Sequence, residues 1–244
     1  CRLFEKEHFP WVLKGGYAME LRVASARATK DIDLAMRDFA LTGTDSSKRN
    51  EAILEMLQEN ADKDFGDHFI FTIGSPMLDL EAAPYGGARF PVSAMMGGRR
   101  FIQFHLDVGV GDVVEEHFEE FYGNDWLEFA EIAPGRFKGI SREAQFSEKL
   151  HAYTLPREQR INSRVKDLVD MVLLIEQGGL DPQRLHECIS KTFKRRRTHE
   201  LPETFQEPPD FWEPIYAKLA NECKLNSNIN EGSEVLRRLW RELI

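Results

Sequence analysis

The spacing of hydrophobic and polar residues changes character once along the chain. In the first part it reads as short strands broken by glycines and helical stretches. WVLKGG, Trp11 to Gly16, is a buried strand stopped by a glycine pair, and YAMELRVAS carries Met19 and Val23 on one side of a helix. DIDLAM then alternates polar and apolar positions, which places Ile32 and Leu34 on one face of a strand and Asp31 and Asp33 on the other. Residues 46–62 hold Ile53, Leu54 and Leu57 at helical spacing behind a serine cap candidate. FIFTIG from Phe69 is strand-like, a Gly/Pro-rich stretch runs to Gly98, and RRFIQFHLDVGVGD has a strict period of two. In that last strand Ile102, Phe104, Leu106 and Val108 form the apolar face, and Asp107 lies on the polar one.

From Ser141 the pattern is helical almost throughout, with segments near 142–155, 161–177, 181–195, 209–223 and 231–243 and one proline-rich break, QEPPDF, at Gln206 to Phe211. The fold class is therefore α+β, with a sheet-containing domain over 1–139 and an all-helical domain over 140–244. No internal repeat is present. A chain of 244 residues, 42% hydrophobic and 30% charged, has the balance of a globular protein large enough for two cores. No apolar run reaches the roughly 20 residues that span a bilayer, and no signal peptide is visible, so no membrane partner is expected.

Three dispersed cysteines fit a reducing cytoplasm, and seven histidines without metal-binding spacing argue against structural zinc. Cys188, on an apolar helix face, reads as core. The net charge of −9 is uneven: residues 141–200 carry 12 Lys or Arg against 9 Asp or Glu, a basic island on an acidic chain.

Two aspartates on one strand face stand about 7 Å apart at Cα, close enough for both carboxylates to reach one cation. With Asp107 from a neighbouring strand they make an oxygen donor set suited to Mg²⁺ or Mn²⁺ and to a phosphoryl or nucleotidyl displacement. Gly15 and Gly16, at a strand-to-helix turn, let backbone N–H groups approach phosphate oxygens. Taken singly, each pattern also fits a solvent face or a turn; the order of the three is what points to a site.

In the helical half, Lys149 lies one turn before Tyr153. Arg164 and Asp167 share a helix face, and Lys166 and Asp170 form an i,i+4 pair. As surface ion pairs these contribute well under about 1 kcal/mol each, but the apolar Leu168, Val169, Val172 and Leu173 around them favour charges aimed into a cleft. KTFKRRRTH, Lys191 to His199, reads either as an RNA phosphate contact or as a solvated helix end.

LKGGYAMELRV…RATKDIDL, FHLDVGVGD, EKLHAYT and SRVKDLVD, in this order, resemble the motifs of the AbiEii/AbiGii-type toxin nucleotidyltransferases, within the DNA polymerase β-like nucleotidyltransferase superfamily. The resemblance covers nearly the whole chain. It implies a polymerase β-like mixed sheet flanked by helices, and a helical domain closing a cleft for an NTP. It further implies transfer of NMP from an NTP to a tRNA, another RNA or a protein acceptor, as the toxin of a toxin–antitoxin or phage-defence pair with a cognate antitoxin protein.

Carried over, Asp31, Asp33 and Asp107 are metal ligands, with Asp107 the third carboxylate, ligand or base. Gly15 and Gly16 cradle the triphosphate. Lys149 reaches nucleotide phosphates, Lys166 and Asp167 position nucleotide or acceptor, and Arg27 offers a phosphate contact. Two departures stand out: Pro156 interrupts the stretch before Arg157, and Tyr17 follows the glycines where the family has Thr or Ser. Small-molecule nucleotidylation, or NTP binding without turnover, are the alternatives the residues leave open.

Overall fold

The computed structural model describes residues 1–5, 10–37, 45–80, 83–112, 117–125, 128–131, 133–157 and 163–243. They form two compact units, Cys1–Leu21 with Ala28–Ile140, and Arg22–Arg27 with Ser141–Ile244.

The first unit is built on an eight-stranded mixed sheet: β1 (Trp11–Lys14), β2 (Ile32–Met36), β3 (Phe69–Ile73), β4 (Leu78–Asp79), β5 (Gly87–Met96), β6 (Arg99–Val110), β7 (Phe118–Tyr122) and β8 (Arg136–Ile140). The order is β3-β5-β6-β2-β1-β8-β7, with β4 paired to β5. β2 runs parallel to β6 and β1 parallel to β8, while β1–β2 and β5–β6 are antiparallel. Helix α1 (Gly15–Arg22) follows β1 directly, and α2 (Ser46–Ala61) follows β2. Asp45 caps α2, its carboxylate accepting from Ser47 N–H at 2.9 Å, so the cap is one residue earlier than the serine suggested.

Alternation sorts the sheet's two faces. Leu13, Leu34, Val108, Leu106 and Phe90 lie on one face and join Ile53 and Leu57 of α2 in a single core. Each such side chain contributes about 1.5–3 kcal/mol by leaving water. The residues between them, Lys14, Asp33, Asp107 and Arg89, must then point to the opposite face.

Two sequence expectations are corrected. The Gly/Pro-rich stretch before Gly98 contains β4 and the ten-residue β5, whose Ala88, Phe90, Val92 and Ala94 alternate inward. Its glycines mark strand ends: Gly97 and Gly98, with φ of +56° and +76°, make the tight two-residue turn into β6. β6 is also only half core. Leu106 and Val108 are buried, but Phe101 and Ile102, close to the turn of the β5–β6 hairpin, are exposed.

The second unit is helical: α3 (Arg142–Thr154), α4 (Val165–Gln177), α5 (Pro182–Arg196), α6 (Glu213–Glu222) and α7 (Ile229–Leu243). Ser141 caps α3, its Oγ accepting from Ala144 N–H at 3.1 Å, and Asp181 caps α5 ahead of Pro182. α4 is buried over most of its surface, and α3, α6 and α7 pack against it. Cys188 is buried in α5. Among the described residues no helix is long and apolar enough to cross a membrane.

Candidate active site

Strand register draws a line of charge across the sheet. Asp33 on β2 is the direct partner of Asp107 on β6 and, on its other side, of Lys14 on β1; Asp107 is in turn the partner of Arg89 on β5. Arg89, Asp107, Asp33 and Lys14 are thus consecutive on one face, with neighbouring strands about 4.8 Å apart. Asp31 lies just ahead of β2, its carboxylate 3.0 Å from Nδ1 of His105 and 3.6 Å from the Arg89 guanidinium.

Arg89 grips Asp107 in a fork, Nε to Oδ1 at 2.8 Å and Nη2 to Oδ2 at 2.7 Å. These bonds raise the guanidinium's pKa above its ordinary value. At the other end of the line Lys14 donates to Asp112, whose side chain is 2% exposed. The four carboxylates of this group, Asp31, Asp33, Asp107 and Asp112, exceed its two permanent cations by two charges.

Gly15 lies against this cluster. Its φ is +65°, and a Cβ there would stand 2.0 Å from Oδ2 of Asp33. The absent side chain is the space the carboxylate fills. At Gly16 a Cβ would meet the side chain of Thr29, its hydroxyl at 2.8 Å and its Cβ at 3.1 Å. Both glycines open α1, whose first-turn N–H groups lack helical acceptors. The loop that leads to Asp31 is tied back by Thr29 N–H donating to Glu20 at 3.0 Å.

The second unit holds its own buried charge cluster. Lys149 of α3 donates to Asp170 of α4 at 2.6 Å and lies 3.5 Å from Asp167; Arg27 donates to the same Asp170 oxygen at 3.0 Å. The Asp170 side chain is fully buried. Burial alone would raise its pKa, but Lys149 and Arg27 outweigh burial and hold the carboxyl below the usual range. Burial likewise opposes the Lys149 ammonium, and Asp170 and Asp167 reverse it, raising its pKa.

The model of the family described as the AbiEii nucleotidyl transferase toxin, type IV toxin–antitoxin system, matches residues 2–240. The chain belongs to the AbiEii family. Its members are nucleotidyltransferase toxins, and the chain is an enzyme of that class. Among solved structures it is similar to MenT4, a nucleotidyltransferase toxin from Mycobacterium tuberculosis, at 15% identity and a TM-score of 0.54, over 99% of this chain and 86% of that one. The likeness extends to the α+β fold of mixed sheet and helices. No curated protein matches.

Within this AbiEii chain the residues singled out in the sequence fall into two sets. Gly15, Asp33 and Asp107 meet on one sheet face of the first unit, Asp31 is joined to Asp107 through Arg89, and Gly16 faces Thr29 instead. Arg27, Lys149 and Asp167 meet around Asp170 in the second. Lys166 joins neither. It is exposed and has no ion-pair partner among the described residues. The i,i+4 pairing of Lys166 with Asp170 is thus overturned: Asp170 points inward to Lys149 and Arg27. Arg164 and Asp167 do approach, at 3.5 Å.

Lys14, Arg89, His105 and Asp112 are not singled out by the sequence, and Asp170 enters there only as a partner for Lys166. Arg89 belongs to the unrecognised β5. Asp170 had a readable sign, an acid inside the run Leu168 to Leu174, where an unpaired charge is untenable.

The donor set suits a hard divalent cation, being all carboxylate and two charges in excess. Among the described residues, however, no three His, Cys, Asp or Glu side chains are gathered closely enough to enclose one. Arg89 stands within reach of both Asp31 and Asp107.

Proposed function

We propose that the chain transfers a nucleoside monophosphate from an NTP to an RNA acceptor, with Mg²⁺ or Mn²⁺ held by Asp31, Asp33 and Asp107. The observation that carries this reading is the pairing of Asp33 with Asp107 on adjacent strands, with Gly15 giving up its side chain to the Asp33 carboxylate. A structural strand pair gains nothing from two acids side by side, which repel at that spacing. A divalent ion bound there supplies charge stabilisation for the leaving pyrophosphate and lowers the pKa of an attacking hydroxyl.

The chain's own residues do the rest. The carboxylates fix the reacting groups on one face, and the N-terminus of α1 offers N–H groups to phosphate oxygens. The acceptor hydroxyl oxygen bonds to the α-phosphorus while the bridging α–β P–O bond breaks. Pyrophosphate takes the electron pair, and the hydroxyl proton passes to the carboxylate cluster. We assign to Lys149 a nucleotide phosphate contact, with Asp167 and Asp170 orienting its ammonium.

RNA is favoured as acceptor by the end of α5. Lys194 and Arg197 are exposed there, with no carboxylate within ion-pair distance among the described residues, around a recess that Ser190, Thr198, His199 and one acid, Glu200, also line. A cognate antitoxin is the partner that family membership implies. Incubation with each α-³²P-labelled NTP, Mg²⁺ and total tRNA tests the reading. Label in RNA supports it; label confined to a small metabolite, or NTP binding without transfer, refutes it.

A further inference from the structure

Three aspartates crowded on one sheet face repel one another, so something must hold them before a metal arrives. For two of them, Asp107 and Asp31, that group is Arg89. It reaches the cluster from β5, as the register partner of Asp107, and its fork satisfies both oxygens of that carboxylate at 2.8 and 2.7 Å. The same Nη2 lies 3.6 Å from Asp31, which His105 holds on its other oxygen. Asp107 is nearly buried, with 12% of its side chain exposed, whereas Arg89 keeps 32% exposed and Asp31 36%. The guanidinium therefore has a route to solvent that the carboxylate beneath it lacks.

We propose that Arg89 is a positioning residue that serves as the cluster's resident cation: it occupies the place between Asp31 and Asp107 until a divalent ion displaces it, so that metal loading is an exchange of guanidinium for metal. The inference rests on the reading of Asp31, Asp33 and Asp107 as metal ligands. It accounts for the donor set being right in kind yet not gathered around one point. It also sets a direction. Arg89 offsets the repulsion between Asp107 and Asp31 without metal, and for the same reason it weakens metal binding, because a charge-assisted fork must be broken each time an ion enters.

The test is Mn²⁺ titration of the full chain by electron paramagnetic resonance, with melting temperature recorded with and without metal, on the unaltered protein and on Arg89→Gln, Arg89→Lys and Asp33→Asn. Arg89→Gln is expected to bind Mn²⁺ at least tenfold more tightly, to melt lower without metal, and to recover when Mn²⁺ is added. Arg89→Lys is the deciding variant and guards against a glutamine variant that fails to fold. It keeps the positive charge but cannot form the fork, so exchange predicts severalfold tighter binding, whereas a charge acting only through space predicts none. Affinity of Arg89→Lys equal to that of the unaltered protein overturns the proposal. If no protein in the set binds Mn²⁺, the metal reading falls and Arg89's role with it. Tight binding by the unaltered protein that Asp33→Asn abolishes, but Arg89→Lys leaves alone, sinks the exchange only.

Discussion

Substituting Gly15 with alanine isolates one link between backbone conformation and chemistry. The added methyl carbon would sit 2.0 Å from Oδ2 of Asp33, and Cβ contacts under 3.0 Å essentially never occur, so carboxylate and turn must separate by at least about 1 Å. Holding an L-residue at φ of +65° costs a further ~1–2 kcal/mol. Stability should fall by about that amount, roughly 2–8 °C in melting temperature for a chain of this size. Activity should fall much further. A misplacement of about 1 Å at a reacting group costs on the order of 10²-fold, close to 2.7 kcal/mol in the barrier.

Gly16→Ala is the matched control. Its φ is not positive, and the methyl would meet the side chain of Thr29, the hydroxyl at 2.8 Å and Cβ at 3.1 Å. It should lose only a few-fold, and adding Thr29→Ala, which removes the closer hydroxyl but keeps Cβ at 3.1 Å, should recover part of that loss. Nucleotidyl transfer from α-labelled NTP, with melting curves on the same samples, gives both quantities. Near-normal transfer by Gly15→Ala would refute the argument that the glycine exists to seat Asp33.

Asp33→Asn, or Asp31→Asn, should reduce transfer at least 10³-fold with the fold retained by circular dichroism, as removal of a charged transition-state contact does. Asp170→Asn removes one partner of a buried pair and should cost about 3–5 kcal/mol near neutrality. That difference depends on pH. The folded-state carboxyl lies below its unfolded value, so the stabilisation is complete above about pH 4 and drains away as pH falls through the folded value. On the alkaline side the raised Lys149 pKa means the pair weakens only as pH climbs past the usual lysine range. Melts of both proteins from roughly pH 3 to pH 8 should therefore converge at the acid end; parallel curves would refute the assignment. Ser141→Ala should cost about 1 kcal/mol by loss of the α3 cap and leave Mn²⁺ affinity unchanged, checked by urea melts and titration.

The elements whose pattern depends on local spacing were legible. Alternation in Ile32 to Met36 and in Leu106 to Val110 put Asp33 and Asp107 on polar faces, and helical spacing located α2 to α5 to within a few residues. Pairing was not legible, because register is set by contacts distant in sequence. That Asp107 stands beside Asp33, and that Arg89 stands beside Asp107, follows only from the sheet. β5 was concealed by composition: Gly86, Gly87 and Pro91 carry the marks of a loop, while Ala88, Phe90, Val92 and Ala94 keep the period of a strand. Asp170 was misread because a helix offers an i,i+4 partner in sequence, Lys166, and gives no sign that Lys149, 21 residues away, would take its place.

Residues 22–27 count with the helical unit although sheet residues precede and follow them in the chain. The two units are therefore not beads on a string. A cut after Ile140 would leave Arg27 without Asp170 and release the peptide that joins the glycine pair to the paired acids. Recombination that exchanged helical units between relatives would have to bring this six-residue insert along, or inherit a segment fitted to a different partner. Such a chain evolves as one piece, and inherits its two halves together.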